Sequence, residues 1–214
     1  GELRSRRAPA SASVEPGQDE LGQRAVDADR LLLCHEMAGV DDHLGEIGRA
    51  LRKAGARRLY YKYCATFDCT SEGNIGPAAE ALLAATGADR TIFAPAFPEY
   101  TVTVYQGRLF VGPRLLSESF KQFDPVTPMT NANLQEVLEP QMTEPVGLIP
   151  HGILHRGLDA TRAYVDAEVA KGTRCFVIDS VDDDDVTRVA ELVDGWTVTT
   201  GGDAPVEGDL RIGE

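Results

Sequence analysis

The chain has 214 residues, 43% of them hydrophobic, enough for one domain with a substantial core. Its formal net charge of -13 argues against nucleic acid or an anionic membrane surface as the main partner. No apolar run approaches the roughly 20 residues of a membrane span. The N-terminal arginines are followed by no apolar stretch of the kind a secretory signal has, so a cytoplasmic location is expected.

Residues 1–26 are rich in Ser, Ala, Pro and Gly without a sustained period and read as a disordered or loosely docked tail. The domain is expected over 27–203, with a short C-terminal tail at 204–214. Within it, "RLLLC" (30–34) is short, apolar and unalternating, as a strand buried on both faces would be. "DHLGEIGRALRKAG" (42–55) places Leu44, Ile47 and Leu51 on one helical stripe and ends at Gly55. "RLYYKYC" (58–64) is the next strand. A helix over 77–86 is predicted to open on Pro77 and stop before Gly87, and "TIFAP" (91–95) follows as a strand.

A hairpin interrupts this rhythm. "TVTVYQGRLFVG" (101–112) alternates on either side of Gln106-Gly107, where Gly107 can supply the positive φ of a tight turn. After a polar stretch and a helix near 132–139, alternation resumes. Strands are predicted at 146–150, 174–179 and 196–200, and helices at 158–171 and 184–193. The fold class is therefore α/β: a Rossmann-like, mainly parallel sheet with helices on both faces and a projecting β-hairpin. Ligands of such sheets bind beyond the carboxyl ends of the strands. Cys64–Asn74, Pro95–Pro98, Pro150–His151 and Asp179–Ser180 lie at such ends.

The stretch "FDCTSEGNIGPAAEALL" (67–83) carries more polar side chains than a helix start needs. Gly73 and Gly76 allow close approach of the backbone, and the helix start offers N–H donors and the favourable end of its dipole. Lys62 and Asp68 add one charge of each sign, suited to a ligand bearing a carboxylate and hydroxyls. The same residues also suit a turn that merely shapes the backbone. The spacing is that of neither a Walker loop nor a dinucleotide fingerprint, so no nucleotide is expected there.

Other groups are less specific. Cys34, Cys64, Cys69 and Cys175 are scattered and read as free thiols, without zinc spacing. Asp182 to Asp185 precede a helix and read as a cap and dipole complement. The four histidines form no metal motif, and no metal site is expected. No catalytic assignment follows. The groups available for one are Asp68, Cys69 in the presumed pocket, and His151 at a strand end.

"YKYCATFDCTSEGNIGPAAEALL", "APAFPEYTVTVYQGRLFVG", "LLSES", "PVTPMTNANL", "VGLIPH" and "VIDSVDDDD" occur here in order. In sequence and spacing they resemble the four-carbon acid sugar kinase family, which includes the 3-oxo-tetronate kinases. The likeness runs over about residues 27–202 and corresponds to the N-terminal, substrate-binding half of those enzymes. It implies a Rossmann-like substrate domain and a second domain that binds ATP and magnesium. The implied reaction is transfer of the terminal phosphate to a hydroxyl of a four-carbon acid. By motif, Lys62, Asp68, Thr70 and Asn74 look like substrate-side residues, with Pro95–Pro98 as the opposite wall. Gly76, Phe97, Tyr100 and Arg108 complete the expected substrate-binding set.

The chain also departs from that family. The family's Asp-Asp-Phe-Thr-Gly opening has no counterpart, and Cys34, His35 and Glu36 replace a Ser-Arg pair. Tyr100, Thr101 and Val102 stand where the family has Asn-Gly-Arg, Arg108 replaces a histidine, and Cys69 replaces a serine. Phe120, Lys121, Gln122, Phe123 and Asp124 replace a Gly-Met-Arg-His-His run, leaving Lys121 and Arg108 as partial exchange for the lost basic groups. The sequence thus predicts a domain that binds a small hydroxylated or sugar-acid-like metabolite and is not a kinase by itself. The alternative is a free-standing, repurposed small-molecule enzyme or a non-catalytic binder. No cofactor is expected in this chain, with ATP and magnesium entering only with a partner nucleotide-binding domain. That separately encoded domain, a polyol or sugar acid, and a second copy of the chain are the expected partners.

Overall fold

A computed structural model describes residues 30–34 and 40–202. Two halves of the chain build its six-stranded parallel sheet from opposite directions. The first half runs through β1 (Arg30–Cys34), α1 (Val40–Lys53), β2 (Arg58–Lys62), α2 (Ile75–Thr86) and β3 (Thr91–Ala94). The second follows the short helix α3 (Leu134–Leu138) and supplies β7 (Val146–Ile149), α5 (Leu158–Val169), β8 (Cys175–Ile178), α6 (Asp183–Val193) and β9 (Val198–Gly201). The order is β1-β2-β9-β3-β8-β7, every neighbour parallel. The first half steps across the sheet in one sense and the second steps back. Right-handed crossovers therefore put α1 and α2 on one face and α5 and α6 on the other.

The residues show the two faces directly. Phe93, Cys175 and Val177 join one core with α1 and α2, while Ile92, Ala94, Phe176 and Ile178 join a second with α5 and α6. The strands β3, β8 and β9 are buried along their whole length. For that reason β3 and β8 read as nearly continuous apolar runs, while β9 is buried in spite of Thr199 and Thr200.

Three sequence expectations shift. The helix predicted at 77–86 begins two residues earlier, at Ile75, with Asn74 as its N-cap. Pro77 fits in the first turn because N–H groups there have no intrahelical partner. Gly87 closes the helix with a left-handed φ of 71°, as expected. In α1 Leu44 and Gly48 are buried and Leu51 is partly buried beside them, while Ile47 is 41% exposed. A Cβ on Gly48 would sit 3.1 Å from Leu82 of α2, so the glycine sets the close approach of the two helices. The strand predicted to reach residue 64 ends at Lys62. The expected tails at 1–26 and 204–214 lie outside the described residues.

The hairpin forms β4 (Val102–Tyr105) and β5 (Arg108–Val111), joined by β6 (Arg114–Leu115) into a separate antiparallel sheet. Gln106 and Gly107 both have positive φ, 52° and 69°, the backbone of a tight primed turn. The hairpin docks on the carboxyl end of the main sheet. Val104 and Ser180 exchange backbone hydrogen bonds of 2.9 and 3.0 Å. Next to them, Asp179 Oδ2 accepts from the Gln106 and His151 amides, both at 2.8 Å, and Oδ1 accepts from Gly107 at 2.9 Å. One buried carboxylate thus ties the hairpin tip, the end of β8 and the start of the short helix α4 (His151–Leu154) together.

Candidate functional site

The β2 connection leaves toward one face and the β8 connection toward the other, so the carboxyl ends of β9 and β3 between them are the switch point at which open sheets of this kind hold their ligands in a crevice. Two close approaches shape its floor. A Cβ on Gly201 would meet Ala94 O at 2.5 Å, and one on Gly202 would meet Pro95 O at 2.8 Å. The loops after β2 and β3 therefore converge over β9.

The loop after β2 holds the residues the sequence singled out. Phe67 and Asp68 both take positive φ, 66° and 27°, which L-residues rarely adopt. Phe67 is fully buried, with its ring 5.3 Å from that of Tyr63 in an edge-on contact, and this anchors the turn. Strain of this kind is retained where surrounding structure over-determines it, and it clusters at functional sites. It presents Asp68 on the loop, one-third exposed, with Thr66 Oγ1 donating to Asp68 Oδ1 at 2.8 Å.

Lys121, which replaces part of the family's basic run, is nearly buried between Asp68 at 2.8 Å and Asp124 at 2.7 Å. Burial alone works against its charge, but hydrogen bonds to Asp124 and Asp68 hold its pKa above the ordinary lysine value. The Lys121 hydrogen bond, helped by the Thr127 and Val126 amides, lowers Asp124 from 3.8 to about 2. With its folded pKa depressed, Asp124 contributes stability above pH 3.8 that is lost as pH falls through about 2. Lys121→Met is expected to move the Asp124 midpoint part of the way back toward 3.8, the two amides retaining the rest. Carboxyl-carbon NMR titration reads this. An unmoved midpoint would mean that Lys121 does not set it.

The start of α2 is tied down from within the fold. The Cys69 thiol is buried, which pushes its pKa up, and the Ile75 and Asn74 amides and the Gln141 side chain at its sulfur counter this only in part. Gln141 Oε1 accepts from the Gly76 amide at 3.2 Å, and Gln141 Nε2 donates to Thr70 O at 2.7 Å. The first amides of α2 are therefore met by a thiol and a glutamine from a distant segment. Thr70 is exposed, with its Oγ1 accepting from the Glu72 amide at 3.3 Å. Gln141 carried no signal in the sequence, and Met129, whose sulfur lies 3.3 Å from the Cys69 amide, was visible only as part of the stretch at 125–134.

Iodoacetamide is expected to modify exposed Cys64 well before Cys69 or Cys175, the latter pushed by burial to about 12. Equal labelling of Cys69 and Cys64 in the folded chain, read by peptide mass spectrometry, would contradict that ranking.

The remaining expected residues lie on other walls. Lys62 ends β2 and is half-buried. Phe97 and Tyr100 pack ring to ring at 4.6 Å, with Tyr100 66% exposed. Arg108 lies on the hairpin, exposed, and donates to Gln106 O at 3.1 Å. His151 stands at the end of β7, four strands along from β2, about 19 Å at the usual strand spacing. Its neighbours are Tyr105, His155 and Asp185. Asp182 caps α6 by accepting from the Asp185 amide, as the sequence predicts, but Asp185 itself is fully buried. Among the described residues no helix is long and apolar enough to cross a membrane.

Residues 36–208 match the model of a family described as "Sugar-binding N-terminal domain". The chain is 45% identical over 152 residues to a 3-oxo-tetronate kinase of Cupriavidus necator, covering 71% of this chain and 35% of that protein. A 3-oxo-tetronate kinase of Pectobacterium atrosepticum is 39% identical over 169 residues, covering 79% and 40%. The chain thus spans well under half the length of these curated relatives. A crystal structure of a Haemophilus influenzae protein superposes with TM-score 0.75 at 30% identity, over 86% of this chain and 50% of that one. A Bordetella bronchiseptica protein, crystallised as a domain-swapped dimer with bound citrate, gives TM-score 0.61 at 28% identity, over 79% and 40%.

Proposed function

From the premise that this chain belongs to the family of sugar-binding N-terminal domains, we propose that it binds a small polyhydroxylated metabolite. The site is the crevice over β9 and β3, and the ligand is less anionic than a simple four-carbon sugar acid. The observation that carries this reading is the strained Phe67–Asp68 turn, which holds a part-exposed carboxylate beside a buried ammonium. Lys121 is shared by two carboxylates, so the trio is negative overall and favours hydroxyl donors over a second carboxylate. Thr66 shares Asp68 and fixes its orientation, while the Phe97–Tyr100 pair offers an aromatic face to the apolar side of a polyol.

Phosphoryl transfer needs phosphate clamps and a magnesium site in addition to a held hydroxyl. The chain alone is expected to lack that activity and to acquire it only with a nucleotide-binding partner domain. The exposed side chains of Phe120, Phe123 and Val126, on the segment that carries Lys121, suit contact with such a partner or with a second copy. Calorimetry with neutral four-carbon polyols and the matching sugar acids tests the binding reading. Saturable binding with the neutral members tighter supports it, and no binding of either class refutes it.

A further inference from the structure

A second cluster lies at the far end of the same sheet edge. The side chains of His151, His155 and Asp185 bring one ligand atom each to within 4.8 Å of one another. His155 Nε2 is 2.7 Å from Asp185 Oδ1, and His151 Nε2 is 3.5 Å from Asp185 Oδ2. We propose that these three side chains bind a divalent transition-metal ion, zinc foremost, at a site separate from the polyol crevice.

The fold preorganises the cluster. His151 opens α4 and His155, four residues on, is its C-cap in helical conformation, so one helical turn places them on one side. Their rings lie 3.9 Å apart at 30°, an arrangement that sends both Nε2 atoms toward Asp185. Asp185 comes from the first turn of α6 and is 0% exposed. The Val181 amide donates to its Oδ2 at 3.0 Å and Arg188 to its Oδ1 at 3.0 Å, which fixes the orientation of the carboxylate. Ligand atoms of a tetrahedral zinc with bonds of about 2.0–2.1 Å stand about 3.3–3.4 Å apart, so the 2.7 and 3.5 Å separations need only small adjustment.

Charge and access agree with a cation. Asp179 and Asp185 are both fully buried at this end of the sheet. Among the described residues Asp179 is met by backbone amides and Arg188 is a cation bonded to Asp185. The histidine side chains are 26% and 38% exposed, leaving a path for the ion and an open coordination position for water or a ligand oxygen. Two imidazoles and one carboxylate favour zinc, cobalt or nickel over magnesium or calcium, which prefer all-oxygen shells.

The purified chain is titrated with zinc by calorimetry and with cobalt by visible absorption, with His151→Ala, His155→Ala and, as a control outside the cluster, His43→Ala. One ion per chain is expected. Affinity should fall at least tenfold in each of the first two variants and stay unchanged in the third. A cobalt spectrum of low coordination number, lost in His155→Ala, is the accompanying signature. The histidine variants carry the test because Asp185→Asn disturbs a buried group. Absence of saturable zinc or cobalt binding, or binding that survives loss of both His151 and His155, would overturn the proposal.

Discussion

Asp179→Ala is expected to cost about 4 kcal/mol or more, because three backbone donors lose their acceptor at once. Each bond is charge-assisted, and such bonds contribute about 1.5–3 kcal/mol apiece. Asp179 and Gly107 are buried, so solvent cannot fully replace the acceptor. A loss of that size is a large fraction of the roughly 5–15 kcal/mol that stabilises a domain. Asp179→Asn should recover only part of the loss, since its oxygen can still accept from Gln106 and His151 while its amide N–H turns against that of Gly107. Urea unfolding measures the loss, and amide exchange at Gln106, Gly107 and His151 localises it. A cost below about 1 kcal/mol, or exchange unchanged at those amides, would show that the hairpin is held by its other contacts.

Gly73→Ala should be nearly as damaging, for a reason unrelated to ligand approach. A Cβ there would lie 2.1 Å from Cys69 Sγ and 2.9 Å from Thr70 O. The sulfur cannot yield freely, because it is buried against the first amides of α2. Overpacking of this kind costs about 1–3 kcal/mol and occasionally more, and the clash places this position at the upper end. Combining it with Cys69→Ala removes the nearest obstacle, so the double variant should be more stable than the sum of the singles predicts. Strict additivity in the unfolding free energies would mean the sulfur is not what the glycine accommodates.

The sequence disclosed what depends on local pattern. Buried parallel strands read as apolar runs because both faces are covered, and Gly87 and the Gln106-Gly107 turn announced their backbone conformations. It misplaced what packing decides. Ile47 follows the helical period, yet a glycine takes the contact face because two helices meet closely there. The α2 start was legible as a polar, glycine-rich turn, but its partner Gln141 lies 65 residues beyond Gly76 and has no pattern that announces it. The same holds for Asp179, whose three donors come from two distant segments, and for Asp185, which reads as one more acid in a capping run. His151 stood out at a strand end. Its pairing with His155 and a buried carboxylate needs α4 and α6 side by side, which only the fold supplies.

The most direct measurement for the polyol site is calorimetry on the natural chain, on Asp68→Asn and on a remote surface variant, Arg162→Ala. The ligands are a neutral four-carbon polyol and the matching sugar acid. The strained turn and the negative Asp68–Lys121–Asp124 trio predict tighter binding of the neutral ligand. They also predict a loss of about tenfold, or about 1.4 kcal/mol, in Asp68→Asn, with no change in Arg162→Ala. Binding that favours the acid, or that leaves Asp68→Asn as tight as the natural chain, would contradict a polyol site on this loop.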